Sequence, residues 1–132
     1  MTPTDLTFDQ CKAIAIFAFH MMVADHKAVQ AEVRRVDWLE KQLGVEGKIA
    51  PAEYFAEPDI ALFPDSRSRV ALLAELYQVA LADGYEHPDE HALLKRLIKA
   101  FLLPSITMSA LNDWAHRPAD SRPPLFEAVP LH

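Results

Sequence analysis

Between positions 8 and 24 apolar side chains fall on nearly every side of a helix. Ile14, Ile16, Phe17, Phe19, Met21 and Val23 leave no polar stripe, which predicts a helix enclosed by other elements. Thr7-Phe8-Asp9-Gln10 ahead of it has capping-box spacing. After a break at Asp25 to Val29, the residues Val33, Val36, Leu39 and Leu43 recur three or four apart, with Glu32, Arg35 and Glu40 between them. That spacing predicts an amphipathic helix, and Gly44 stops it. Residues 45 to 65 hold Pro51, Pro58 and Pro64 around Tyr54-Phe55 and Ile60-Ala61-Leu62-Phe63, a connector with apolar anchors and one-turn helices starting at Pro51 and Pro58.

The first half then repeats. Residues 67 to 82 predict a third helix capped by Ser66, apolar on most faces from Val70 to Ala82 and interrupted by Glu75 and Gln78. A turn follows, and Pro88, suited to a first helical position, opens a fourth helix with Leu93, Leu94, Leu97, Ile98 and Phe101 on one side. Pro104 ends it, Ser105 caps a fifth helix to about Ala115, and residues 117 to 132, with four of the ten prolines, read as an extended tail. The fold class is therefore all-α. It is a single-domain bundle of two αα-hairpins related by an approximate twofold, plus short connecting helices. Residues 1–117 form the helical domain and 118–132 a Pro-rich C-terminal tail.

Composition narrows the partners. The chain has 132 residues, 51% of them hydrophobic and 24% charged, enough for one domain with a real core. Thirteen Lys and Arg are scattered among 19 Asp and Glu, for a net charge of −6, so no basic stripe marks a nucleic-acid footprint. Cys11 is the single cysteine, which excludes an internal disulfide and multi-cysteine zinc sites. With no cationic leader pattern at residues 1–7, this predicts a cytoplasmic setting. No apolar run reaches the roughly 20 residues of a membrane span. A protein partner or a homodimer remains open.

Laying the chain over itself so that Asp25 falls on Asp83 also places Ala13 on Ala71, Ala24 on Ala82, Glu32 on Glu90 and Leu39 on Leu97 without a gap. The same acidic pair thus marks both breaks at the same internal spacing. The run from Val79 through Ala82-Asp83-Gly84 to Pro88-Asp89-Glu90, followed by an amphipathic helix, resembles the Ala-Asp-Gly…Pro-x-Glu signature of the tellurite-resistance TerB-like family. Val23-Ala24-Asp25 and Glu32 resemble the earlier copy. The resemblance covers roughly residues 10 to 115. It implies an all-helical, non-enzymatic protein with acidic residues facing a metal ion and a link to bacterial stress responses. The first copy departs from the pattern, with His26 in place of the glycine and Lys27 to Gln30 in place of the proline-containing turn.

Two readings account for the acidic residues. In one, Asp25, Glu32, Asp83 and Glu90 offer carboxylate oxygens to a hard cation, calcium or magnesium, with zinc less suited. In the other, each Asp satisfies amides of its own turn and each Glu meets the free N–H groups and positive end of the next helix. His87-Pro88-Asp89-Glu90-His91 matches H-x-x-E-H formally, but Pro88 puts His87 at the cap rather than one turn beneath His91, which argues against a peptidase. His87, His91 and Asp83 together could hold zinc or nickel adventitiously. Cys11 reads as a small buried hydrophobe, His20 as a partnered core or boundary histidine, and Trp38, Trp114 and Phe126 as core or patch aromatics. No phosphate loop, nucleophile elbow or C-x-x-C is present.

Overall fold

The computed structural model describes residues 6–23, 30–80 and 88–129, and within them no side chain is described at 22, 23, 30–33, 35, 80, 88–92 and 119. Six α-helices and three short 3-10 turns appear, with no strand among the described residues. The chain is all-α. The helices are α1 (Phe8–Val23), α2 (Gln30–Leu43), α3 (Ser66–Ala80), α4 (Pro88–Phe101), α5 (Ser105–His116) and α6 (Leu125–Ala128). Turns at Pro51–Phe55 and Ile60–Leu62 link α2 to α3, and a third, Ala119–Ser121, links α5 to α6.

Because α1 and α3 are apolar on most faces, they must be surrounded. Among the described residues they make the most extensive helix–helix contact, α2 packs on α1, and α4 and α5 pack on α3. Ile14, Phe17, Ala18 and Met21 of α1 and Leu72, Leu73, Leu76 and Val79 of α3 are fully buried in one core, which Val36, Leu39 and Leu43 of α2 and Leu94, Leu97 and Phe101 of α4 complete.

The boundaries recur at the offset that carries Asp25 onto Asp83. Phe8 and Ser66 open the buried helices, Gln30 and Pro88 open the amphipathic ones, and Leu43 and Phe101 close them. Burial recurs in the same register: Val36, Leu39 and Leu43 match Leu94, Leu97 and Phe101, while Lys41 and Gln42 match exposed Lys99 and Ala100. The caps correspond as well. Thr7 Oγ1 accepts from Gln10 N at 3.1 Å while Gln10 Oε1 accepts from Thr7 N at 3.0 Å, the expected capping box. At the matching position Asp65, not the expected Ser66, caps α3. Its Oδ1 accepts from Ser68 N at 2.8 Å, and that bond holds its carboxyl below the usual carboxylate range. A carboxylate is a stronger acceptor than the neighbouring hydroxyl, so the helix starts one residue earlier than a serine cap allows.

Three other local expectations shift. Pro104, not Ser105, occupies the N-cap of α5 and makes no side-chain bond. The second connector turn starts at Ile60 because Asp59, rather than Pro58, supplies the cap, accepting from Ala61 N at 2.9 Å. The tail is not extended throughout: it folds back as α6 and buries Leu125 and Val129 in the common core.

At the C-terminal ends, Gly44 (φ +72°) closes α2 with Gly44 N donating to Lys41 O and Val45 N to Glu40 O, the paired bonds of a Schellman motif. Its counterpart, Leu102, takes φ +53° and donates from N to Ile98 O at 3.2 Å, although its side chain is 83% exposed. A left-handed leucine costs about 1–2 kcal/mol, and a glycine there costs roughly 0.5–1 kcal/mol in chain entropy. Leu102→Gly is therefore expected to stabilise the fold by about 0.5–1 kcal/mol, a Tm rise of roughly 2–5 °C in thermal unfolding. A lowered Tm would show that the exposed leucine makes contacts outweighing its strain.

Candidate functional site

The predicted metal residues divide in two. Asp25 and Asp83 lie outside the described residues, as does His87. Glu32 and Glu90 are the third residues of α2 and α4, in the first helical turn where the N–H groups are free, but their side chains, like that of His91, also lie outside the description. Among the described residues no group of three or more His, Cys, Asp or Glu is placed to hold a metal ion.

What the described residues do assemble is a junction where the connector crosses α1 and α2. Tyr54 sits at its centre. Its hydroxyl donates to Glu40 Oε1 of α2 at 2.6 Å, its carbonyl lies 2.6 Å from His20 Nε2 of α1, and its ring meets Phe19 at 4.9 Å between centroids, tilted by 59°. The carbonyl can only accept, so His20 carries its proton on Nε2. Burial of the phenol, followed by its bond to Glu40 and the charges of Glu40, Asp37 and Glu53, raises the Tyr54 pKa well above its ordinary value. His20 is thus the partnered boundary histidine that its place in the apolar run suggests. Its counterpart in the second copy is Gln78, whose Oε1 accepts from Arg122 Nη1 of the tail at 3.2 Å. Matched positions on the two buried helices therefore each tie down the segment that follows their hairpin.

Beside this junction an open cleft of about 360 Å³ runs between α1 and the connector, floored by Ala13, Ile16, Pro58 and Leu62. At its mouth Lys12 Nζ pairs with Glu53 Oε2 at 2.6 Å, and Glu53 Oε1 also accepts from Ala50 N at 3.1 Å. Those bonds, the lysine's first, hold the Glu53 carboxyl below its ordinary value. Glu57, on the cleft wall, pairs with Arg96 of α4. An apolar floor with paired charges at the rim suits binding.

The remaining candidates are also placed. Cys11 is buried and burial pushes its thiol up, which keeps it protonated and unreactive. Trp114 is 8% exposed and its indole N–H donates to Pro123 O at 2.8 Å, Phe126 is half-buried, and Trp38 is 46% exposed on α2. Sequence reasoning passed over Glu75, noted only as an interruption of an apolar helix, which is 7% exposed. It also passed over the Tyr54 junction.

Tyr54→Phe is expected to lower stability by about 1 kcal/mol at neutral pH, measured as a shift of the urea midpoint. Because the folded-state pKa of Tyr54 is raised, the hydroxyl's contribution is full below the unfolded value of about 10 and is lost as pH rises above it. The difference between wild type and variant should accordingly narrow above about pH 10; a constant difference would show that the bond to Glu40 is not what the hydroxyl supplies. Compared with protein-family models, with curated proteins and with solved structures, the chain finds no match.

Proposed function

We propose that the chain is a non-enzymatic, TerB-like helical module that works in the cytoplasm and binds a divalent cation, calcium or magnesium, through its two acidic inter-helix junctions, with Asp25 and Glu32 at one and Asp83 and Glu90 at the other. The resemblance attaches such modules to bacterial stress responses of the tellurite-resistance kind. One observation carries the reading. The helix boundaries repeat at a constant spacing, Phe8 to Ser66 and Gln30 to Pro88, so each Asp falls in the junction after a buried helix and each Glu is the third residue of the amphipathic helix that follows. Carboxylate oxygens from two such junctions are the ligand chemistry a hard cation selects.

A second reading, an interaction or self-associating domain without metal, draws on Phe55. This aromatic is 82% exposed on the connector, and Ile60 and Leu62 of the same segment are exposed too; exposed apolar side chains are what a contact surface supplies.

Thermal unfolding of chelator-treated protein with calcium, magnesium, zinc and nickel, run in parallel on Asp83→Asn, separates the two. Saturation at a hundred times the dissociation constant adds about 2.7 kcal/mol, a Tm rise of several degrees for a chain of this length. The proposal expects that rise with calcium or magnesium and its loss in the variant. A shift with zinc alone would assign the binding to His87 and His91. No shift with any ion would leave the carboxylates as helix caps and favour the interaction domain.

A further inference from the structure

The cleft beside the Tyr54 junction is lined unevenly. Asp9, Lys12, Ala13 and Ile16 line it from α1, and their spacing of three and four residues puts them on one helix face, a strip about 10 Å long at the rise of an α-helix. Glu53, Glu57, Pro58 and Leu62 line it from the connector. Three carboxylates thus share the space with one ammonium. Glu53 is fully engaged, with Oε2 on Lys12 Nζ and Oε1 on Ala50 N. Glu57 accepts from Arg96 through Oε1, but Arg96 lines the next cleft, across the Glu57-Pro58 wall, and not this one. Asp9 is exposed and has no ion pair among the described residues. Negative charge therefore stands on both walls, Asp9 on α1 and Glu57 on the connector, over one apolar floor.

The lining discriminates among occupants by charge and by shape. An anion is repelled. A bare metal ion needs ligands that converge on a point, and among the described residues no three ligating side chains do so. A neutral apolar compound covers the floor but leaves both carboxylates without a partner as it displaces their water. Positive charge divided between two places and joined by hydrocarbon meets all three conditions. We propose that this cleft binds a linear aliphatic diamine or polyamine, with one ammonium at Asp9, a second at Glu57, and methylenes between them on Ala13, Ile16 and Leu62. The ammonium groups donate charge-assisted hydrogen bonds to the carboxylates, and the methylenes take the floor out of water. The net charge of −6 favours the approach of such a cation. The site is separate from the acidic inter-helix junctions and does not rest on metal binding.

The test is amide NMR of the full, chelator-treated chain titrated with putrescine and with spermidine, which differ in length. At least one of them is expected to give saturable shifts at amides of residues 9–16 and 53–62, the two walls of the cleft. Butylamine, which keeps the hydrocarbon and lacks the second ammonium, is expected to bind about fivefold more weakly than putrescine, and Asp9→Asn to weaken the amine by a similar factor. Asp83→Asn should bind it as wild type does. The proposal is overturned if neither amine shifts these amides, if butylamine binds equally well, if folded Asp9→Asn binds unchanged, or if Asp83→Asn abolishes binding. It is also overturned if magnesium gives the same shifts at these residues, since exposed carboxylates would then be responding to any cation. Should Asp9→Asn not fold, Glu57→Gln carries the same expectation.

Discussion

Two helices with no polar stripe cannot each find a solvent-facing side. Everything else in the molecule follows from enclosing α1 and α3. Laid against each other, they bury their common face, and what remains is covered by amphipathic partners, α2 on α1 and α4 and α5 on α3. Burial of side chains such as Ile14, Phe17, Leu72 and Leu76 contributes on the order of 1.5–3 kcal/mol each, far more than any cap or surface ion pair. The connector and the tail complete the enclosure. His20 grips the one through the Tyr54 carbonyl, and Gln78, at the matching place on α3, grips the other through Arg122.

The matching of those two grips has a consequence for the acidic junctions. The starts of α1 and α3, both limits of α2 and α4, the N-caps and the left-handed C-terminal residues coincide at one constant spacing, from Thr7 and Asp65 to Gly44 and Leu102. In the sequence Asp25 aligns with Asp83 and Glu32 with Glu90 at that same spacing. Matched positions also differ: buried Phe17 falls opposite buried Glu75, and a glycine ends one helix where a leucine ends its counterpart.

Much of the fold is legible in the sequence because its signals are local. The Thr7–Gln10 box, the stop at Gly44, the opening of the fourth helix at Pro88 and the turn at Pro51 each depend on a few adjacent residues, and each lies where the spacing puts it. Where two neighbours can do the same job the choice depends on geometry that sequence does not carry: Asp65 displaces Ser66 as a cap, and Asp59 displaces Pro58 as the start of a turn. The tail departs from its expected form for a different reason. Four prolines argue for an extended strand, and only tertiary contacts with Arg67, Gln78 and Trp114 make it fold back. The Tyr54 junction is illegible for the same cause, since His20, Glu40 and Tyr54 lie far apart in the chain and share no motif. The acidic pairs are visible from spacing alone.

The fold depends on α1 and α3 forming one indivisible centre. Native-state hydrogen exchange followed residue by residue tests this directly. The amides in the middle of both helices should exchange only through global unfolding, with the same free energy and the same denaturant dependence, while those of residues 117–129 open at lower cost. If either buried helix exchanged through a separate, cheaper opening, the hairpins would be independent units and the shared core would not be what holds the molecule together.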